Sequence, residues 1–272
     1  VLFKVPGNLL LLGEFAVTLE GGLGIACAVD RFVTLEVKKG GKLKIESSHS
    51  NDLILYTLNH LFKELPTLEI KVDSSPLFKE NGDKMGLGSS AAVVSGLTFA
   101  CLEGISKEKA FPIALEIHRA FQGGRGSGYD VAASLFGITN EAESSKTSFV
   151  TPLSAGLFIG GKHPTYTPNL SLPRLGLVSG KKPVSTKEML IKFEAFQEKE
   201  TFLKESNDIV KNFLKTRDLK KAFQEGKKLH ETLHKALQIE TDFKELDAVL
   251  EKGFIGKPLG SGYELGAFLL FS

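Results

Sequence analysis

Cysteine is scarce: the 272 residues hold only Cys27 and Cys101, each inside an apolar run, GIACAVD and TFACLEG, with neither CxxC nor metal-ligand spacing. Buried reduced thiols are the expectation, which suits a cytoplasmic protein. An excess of one charge is missing too. Lys plus Arg number 34 against 32 Asp plus Glu, a formal net charge of +2. So near a balance gives no broad electrostatic case for nucleic acid or an anionic membrane as partner, and any anion site must be local. No apolar stretch approaches the roughly 20 residues that span a bilayer. The start, VLFKVPGNLLLLGEF, is broken by Lys4, Pro6, Gly7 and Asn8, unlike a signal peptide. Because the numbering opens on Val1 rather than Met, the native start stays open.

What is present is ample apolar surface, 42% of residues, enough for one large or two modest domains. Short runs VLFKV and NLLLL, the longer GIACAVDRFVTLEVKK and then KLKIES read as strands punctuated by glycine. Asp52 is placed to cap a helix over NDLILYTLNHLFKEL, and TLEIKVDSS returns as a strand. A long apolar helix follows GLGSS, then a second helix over SKEKAFPIALEIHRAFQ, then the glycine-rich turn GGRGSGYD. Strands are expected around SFVTPLS and GLFIGG, with the proline-bearing HPTYTPNLSLP as a connection. A domain boundary is drawn near Asn169, giving domains 1–169 and 170–272. Beyond it the pattern is a strand at RLGLVSG, three or four helices from about Lys187 to Lys252, and a strand-turn-strand over FIGKPLGSGYELGAFLLFS. In the third of these helices Leu229, Leu233, Ala236 and Leu237 form an apolar stripe. The pair His230 and His234 on that helix lacks the HExxH order and any acidic ligand at useful spacing, so a solvated helix face is expected rather than zinc.

The segment from Gly86 to Ala92, GLGSSAA, carries the most chemistry. Gly86 and Gly88 let backbone N–H groups converge on an anion, and the helix behind them offers unpaired N–H groups and the positive end of its dipole. Ser89 and Ser90 add hydroxyls, one of which could complete the shell of a Mg²⁺ that bridges phosphate oxygens. No Lys follows as in GxxxxGK[ST], so this is not a Walker A loop. Taken alone, the segment fits equally a helix start whose small residues pack tightly against a sheet.

Four further segments join this one. VPGNLLLLGEFAV at Val5 to Val17, GLGSSAA, and PLGSGYELGAF at Pro258 to Phe268 together resemble the signature of the GHMP kinases, the superfamily of galactokinase, homoserine kinase, mevalonate kinase and phosphomevalonate kinase. GSGYDVAAS at Gly126 to Ser134, and KKPVSTKEML with Ser185 and Thr186, are most similar to the matching segments of phosphomevalonate kinases. The resemblance implies an α+β, two-domain fold: an N-terminal ribosomal-protein-like α+β domain that carries the nucleotide loop, a C-terminal ferredoxin-like domain, and an active site in the cleft between them. It implies ATP as phosphoryl donor, Mg²⁺ as cofactor, and a small-molecule alcohol or phosphate as acceptor, phosphomevalonate before mevalonate or a sugar.

Residue by residue, it implies that Gly86, Leu87, Gly88, Ser89, Ser90 and Ala91 hold the nucleotide, and that Asp130 faces the acceptor as catalytic carboxylate. Asn8, Glu14, Arg125, Ser127 and Ser185 are the implied substrate contacts, with Ser90 and Glu116 the metal candidates. Bland readings stand beside these: Asp130 as the N-cap of DVAASLF, and Glu116 as an exposed helix glutamate. Two departures from the family pattern matter. Asn8 stands where the family usually carries Lys or Arg after PG, so a nearby cation such as Lys4 or Arg125 would have to substitute. In the third motif Ser261, Tyr263 and Glu264 replace residues that tend towards glycine and Asp, which also suits a plain hairpin. The competing class is a homologue that senses a nucleotide or metabolite without catalysis.

Overall fold

The computed structural model describes residues 1–140, 144, 149–180, 186–239, 243–260 and 265–270. They fold as an α+β protein whose chain falls into two compact units, Val1–Leu9 with Ala28–Lys146 and Leu10–Cys27 with Thr147–Ser272. Strands β1 (Leu2–Leu12) and β2 (Leu23–Lys39) each contribute to both.

In the first unit β3 (Lys44–Ser47) lies parallel to β4 (Leu68–Asp73), and β4 runs antiparallel to β2 with Thr34 opposite Asp73 and Lys39 opposite Leu68. Alternation along LEIKVD turns Ile70 and Val72 inward and leaves Glu69 and Lys71 outside. Helix α1 (Asp52–Leu61) sits between β3 and β4 in sequence; Asn51 takes the N-cap position, and Asp52 stands in the first turn, where its carboxylate meets the positive helix end. Helix α2 (Ser89–Cys101) is flanked by α1, by α3 (Lys107–Phe121) and by α4 (Tyr129–Phe136). That explains its composition, SSAAVVSGLTFAC: a helix covered on nearly all sides needs small or apolar residues all round. A Cβ at Gly96 would come 2.7 Å from Val5 Cγ2 and 3.1 Å from Leu35 Cδ2, so glycine there sets the closeness of α2 to β1 and β2.

The second unit holds the short strand β5 (Phe149–Val150), the antiparallel pair β6 (Pro152–Ile159) and β7 (Thr165–Leu170), and an antiparallel sheet in the order β5, β8 (Leu175–Ser179), β10 (Leu265–Leu269), β9 (Gly256–Leu259). The proline-bearing segment expected as a connection contains β7. Pro168 is tolerated because β7 is an edge strand, where a missing N–H breaks no inner ladder. Among the described residues four helices lie between β8 and β9: α5 (Thr186–Glu194), α6 (Lys199–Thr216), α7 (Leu219–Ala236) and α8 (Lys244–Leu250). Phe15, Ala16, Met189, Phe193, Phe202 and Leu233 form one core cluster, with Leu229 and Leu237 packed against it, as the apolar stripe of α7 predicts.

The histidine pair on α7 corrects the sequence reading. His230 is 4% exposed and His234 fully buried, not on a solvated face. Their rings lie 4.0 Å apart, and Phe15 packs against both at 6.3 and 5.8 Å. Seven and eleven residues after the buried Phe223, they fall on the same helical face, so the 3.6-residue period carries them inward. Burial holds His230 neutral well below its ordinary range and pushes His234 down to about 4.

Nearby, the fully buried Lys257 ammonium donates to Glu14 Oε1 and, at 2.8 Å, to the Pro258 carbonyl. Burial raises the Glu14 carboxyl and the Lys257 charge draws it back. Taking away either partner strands a charge in an apolar interior. Glu14→Gln is expected to cost about 3–5 kcal/mol, read as a fall in the urea midpoint at pH 7, whereas Glu14→Leu combined with Lys257→Met recovers most of it; a harmless single change would refute the pairing. The histidines set an acid limit. Since His234 stays neutral in the folded chain while the unfolded chain gains a proton below about 6.5, stability falls as pH drops from 6.5 towards 4, by about 3 kcal/mol at the end of that window. His234→Leu is expected to flatten that decline in urea titrations at stepped pH; an unchanged slope would count against it.

Candidate functional site

The site is built on strand β1 of the first unit. The Asn8 N–H donates to the Leu87 carbonyl at 3.0 Å, and a Cβ at Gly7 would meet that same oxygen at 2.8 Å, so strand and loop touch backbone to backbone. Leu87, 1% exposed, buries its side chain as the anchor of the loop. Gly88 follows in the left-handed region at φ 67° and serves as the N-cap of α2. Glycine is doubly required there, because the backbone angle strains any other residue and a Cβ would run into the Asn8 amide. With no side chain on the cap to accept a hydrogen bond, the first-turn N–H groups of Ser89, Ser90 and Ala91 are left for an outside anion.

Asn8 does more than flank this loop. It is 2% exposed, and its Nδ2 donates to Ser134 Oγ on α4 at 3.0 Å. One amide therefore fixes the start of α2 relative to α4, the helix that carries Asp130. Helix α4 begins at Tyr129 with Gly128 as its cap, so Asp130 lies inside the first turn, not at the cap itself. There Oδ1 accepts from the Val131 N–H at 2.9 Å.

Helix α3 supplies what surrounds that carboxylate. His118 is buried, with Nδ1 3.8 Å from Asp130 Oδ2, Nε2 3.2 Å from Ser90 Oγ and 3.1 Å from Gln122 Nε2. Arg119 grips the turn before α4, donating from Nε to the Gly126 carbonyl at 2.8 Å and from Nη2 to the Ser127 carbonyl at 3.0 Å. Burial lowers the Arg119 pKa, and the charge of Asp130 pushes it back up, so this guanidinium is a cation within electrostatic reach of the carboxylate.

The sequence-derived candidates divide accordingly. Ser90 and Asp130 come together across His118, while Asn8 and the loop residues Gly86 to Ala91 form the floor beside them. Ser127 is buried in the turn held by Arg119, and Arg125 is half-buried two residues earlier. Glu116 is exposed, and two residues along a helix point to roughly opposite faces, so it does not share the side of α3 that His118 presents. Glu14 lies in the second unit, ion-paired to Lys257. Ser185 and the turn residues Ser261, Tyr263 and Glu264 lie outside the described residues. Lys4, one candidate to replace the missing cation, donates to Thr34 Oγ1 at 2.9 Å. Sequence reasoning missed His118, Arg119, Gln122, Ser134 and Lys257. For His118 a signal existed, since it continues the buried stripe Ala110, Ala114, Leu115 and Ile117 along α3.

Comparison with known proteins fits this construction. Residues 52–138 match the family described as GHMP kinases N terminal domain. A phosphomevalonate kinase of Saccharolobus solfataricus is 33% identical over 154 residues, which is 49% of this chain and 46% of that protein, so the match spans about half the relative's length. Among solved structures, Lin0012 of Listeria innocua is 21% identical with a TM-score of 0.82, covering 100% of this chain and 90% of that one. Streptococcus pneumoniae phosphomevalonate kinase, in complex with phosphomevalonate and AMPPNP, is 17% identical with a TM-score of 0.74, covering 100% and 92%. Residues 52–138 are thus similar to the GHMP kinase N-terminal domain, and the chain shares its fold along its whole length with these solved structures.

Proposed function

We propose that this protein transfers the γ-phosphoryl group of ATP to a small-molecule acceptor, with phosphomevalonate the first acceptor to try. The observation that carries this is the meeting of the loop serine and the carboxylate: Ser90 at the anion-binding helix start and Asp130 in the next turn flank one buried histidine. In the proposed reaction Asp130 takes the proton from the acceptor's O–H, alcohol or phosphate monoanion, as that oxygen bonds to the γ-phosphorus. The bond from γ-phosphorus to the β,γ-bridging oxygen breaks, and ADP leaves. Helix α2 and the glycines before it hold the phosphates, and Arg119, close enough to feel the charge of Asp130, supplies the cation that Asn8 cannot.

For Mg²⁺ the fit is that of an ion brought in by the nucleotide. Among the described residues no group of three or more His, Cys, Asp or Glu side chains is set to hold a metal. Ser90 Oγ is a hard oxygen donor at the phosphate end of α2, suited to one position of a shell otherwise filled by phosphates and water. When bound, the ion would neutralise charge building up between the β- and γ-phosphates.

The acceptor is inferred from similarity to the Saccharolobus and Streptococcus phosphomevalonate kinases, and from Arg125, a cation in the turn before Asp130 suited to an anionic substrate. One observation favours a second reading, a nucleotide-sensing homologue without catalysis: Asn8, at the position where the family usually has a cation, is spent on Ser134. An ADP-release assay with phosphomevalonate, mevalonate, homoserine and hexoses separates the two. Turnover on phosphomevalonate is expected, and Asp130→Asn is expected to lower kcat about 100- to 10,000-fold while the Kd for Mg-ATP changes little. Nucleotide binding with no turnover on any acceptor would favour the sensing role, and full activity in Asp130→Asn would remove the carboxylate from the mechanism.

A further inference from the structure

His118 is more than packing. It is 2% exposed on α3, yet each of its ring nitrogens is directed to a group that the proposed reaction uses. The geometry also fixes its proton. Gln122 Nε2, 3.1 Å away, can only donate, so His118 Nε2 is the acceptor there, its one lone pair shared with the Ser90 hydroxyl at 3.2 Å. In a neutral imidazole the proton then sits on Nδ1, and Nδ1 faces Asp130 Oδ2 at 3.8 Å. That separation is longer than a direct hydrogen bond and short enough to become one when a bound substrate draws the turn inward. The charged and titratable groups around the ring are Asp130 from α4 and Arg119 beside it on α3; Ser90 on α2 is polar.

We propose that His118 is a positioning residue that ties the phosphate loop to the catalytic carboxylate, its Nδ1–H orienting Asp130 and its Nε2 orienting the Ser90 hydroxyl. Resting on the kinase reading of the same site, it adds a specific division of labour between the two faces of one ring. The Nε2 face serves the nucleotide end, because a Ser90 hydroxyl that donates to His118 keeps its lone pairs turned away from the ring and free for an ion or phosphate contact. The Nδ1 face serves the acceptor end, because an N–H directed at one oxygen of Asp130 leaves the other to meet the acceptor proton, a job Oδ1 can do only by relaxing its bond to the Val131 N–H. No proton leaves the histidine in this scheme. It holds two groups in register, and a displacement of about 1 Å in either would be felt in the rate.

Two substitutions separate the faces. Asn carries its amide near the position of Nδ1 and Gln near that of Nε2, so His118→Asn keeps a donor for Asp130 and gives up Ser90, and His118→Gln does the reverse. With Mg-ATP and phosphomevalonate, His118→Gln is expected to lose about 10- to 100-fold in kcat with Kd for the nucleotide nearly unchanged. His118→Asn is expected to keep more of kcat and bind Mg-ATP several-fold more weakly. In an Asp130→Asn background His118→Gln is expected to cost little more, because the group it orients is gone. Equal losses of kcat and affinity in both variants, or a full second loss in that background, would reduce His118 to packing.

A readout free of activity keeps this distinct from the kinase reading. Long-range ¹H–¹⁵N spectra of protein labelled at histidine, with the peak assigned through His118→Asn, are expected to show the Nδ1–H tautomer. An Nε2–H tautomer would overturn the arrangement even if the protein is an active kinase. The Nδ1–H tautomer in a protein with no turnover would support the arrangement while the kinase reading falls.

Discussion

The backbone of Asn8 is bonded to the carbonyl of Leu87 while its side chain occupies the space beside Gly88 and reaches on to Ser134. Much of the first unit hangs on that contact. It lets a strand dictate the shape of a loop, and the loop dictate where α2 begins. Once α2 begins at Ser89, Ser90 stands in its first turn and faces His118. Once α4 is held by the same amide, Asp130 faces the other side of that ring. The constraint is steric before it is electrostatic: only a residue without a Cβ lets the amide and the helix start share the space at 88.

The two units meet the cost of burying charge differently. In the second, Lys257 is wholly enclosed and answered by one carboxylate and one carbonyl, an arrangement that adds little net stability but makes either partner alone expensive. In the first, Asp130 stays about one-fifth exposed, its side chain at 22%, with a backbone N–H, a histidine and an arginine near it. In the proposed reaction this half-open setting would leave the carboxylate both reachable and oriented. Full enclosure would favour its neutral form, and full exposure would leave it unoriented.

Much of this was legible in the sequence, and what was not has physical reasons. GLGSSAA and GSGYD could be read because glycines and a following helix are local features, fixed within a few residues. The α7 stripe was legible through its period. His230 and His234 obey that same period, but residue type points the other way, since histidine is so often a surface residue. Pro168 suggests a break because sequence does not say which strand will be at an edge. The triad of Ser90, His118 and Asp130 depends on contacts across 28 and 12 residues, and the grip of Arg119 on Gly126 and Ser127 depends on how a glycine turn folds back on its helix. The period of α3 signals that His118 is buried, but neither set of contacts has a local signature.

The replacement of the family's usual cation by Asn8 becomes intelligible in this setting. At 2% exposure a lysine there would have to bring its ammonium into a space lined by Gly88 and Ser134, or thread past them. An amide instead satisfies its donor on the Ser134 hydroxyl and carries no charge to desolvate. In the proposed reaction the positive charge beside the carboxylate then comes from the helix that already holds the turn. Arg119 spends part of its guanidinium on the carbonyls of Gly126 and Ser127, so its position is set by the same turn that presents Asp130. A cation fixed in that way moves with the carboxylate instead of reaching it from a separate strand, which makes the pair less dependent on how well β1 is held.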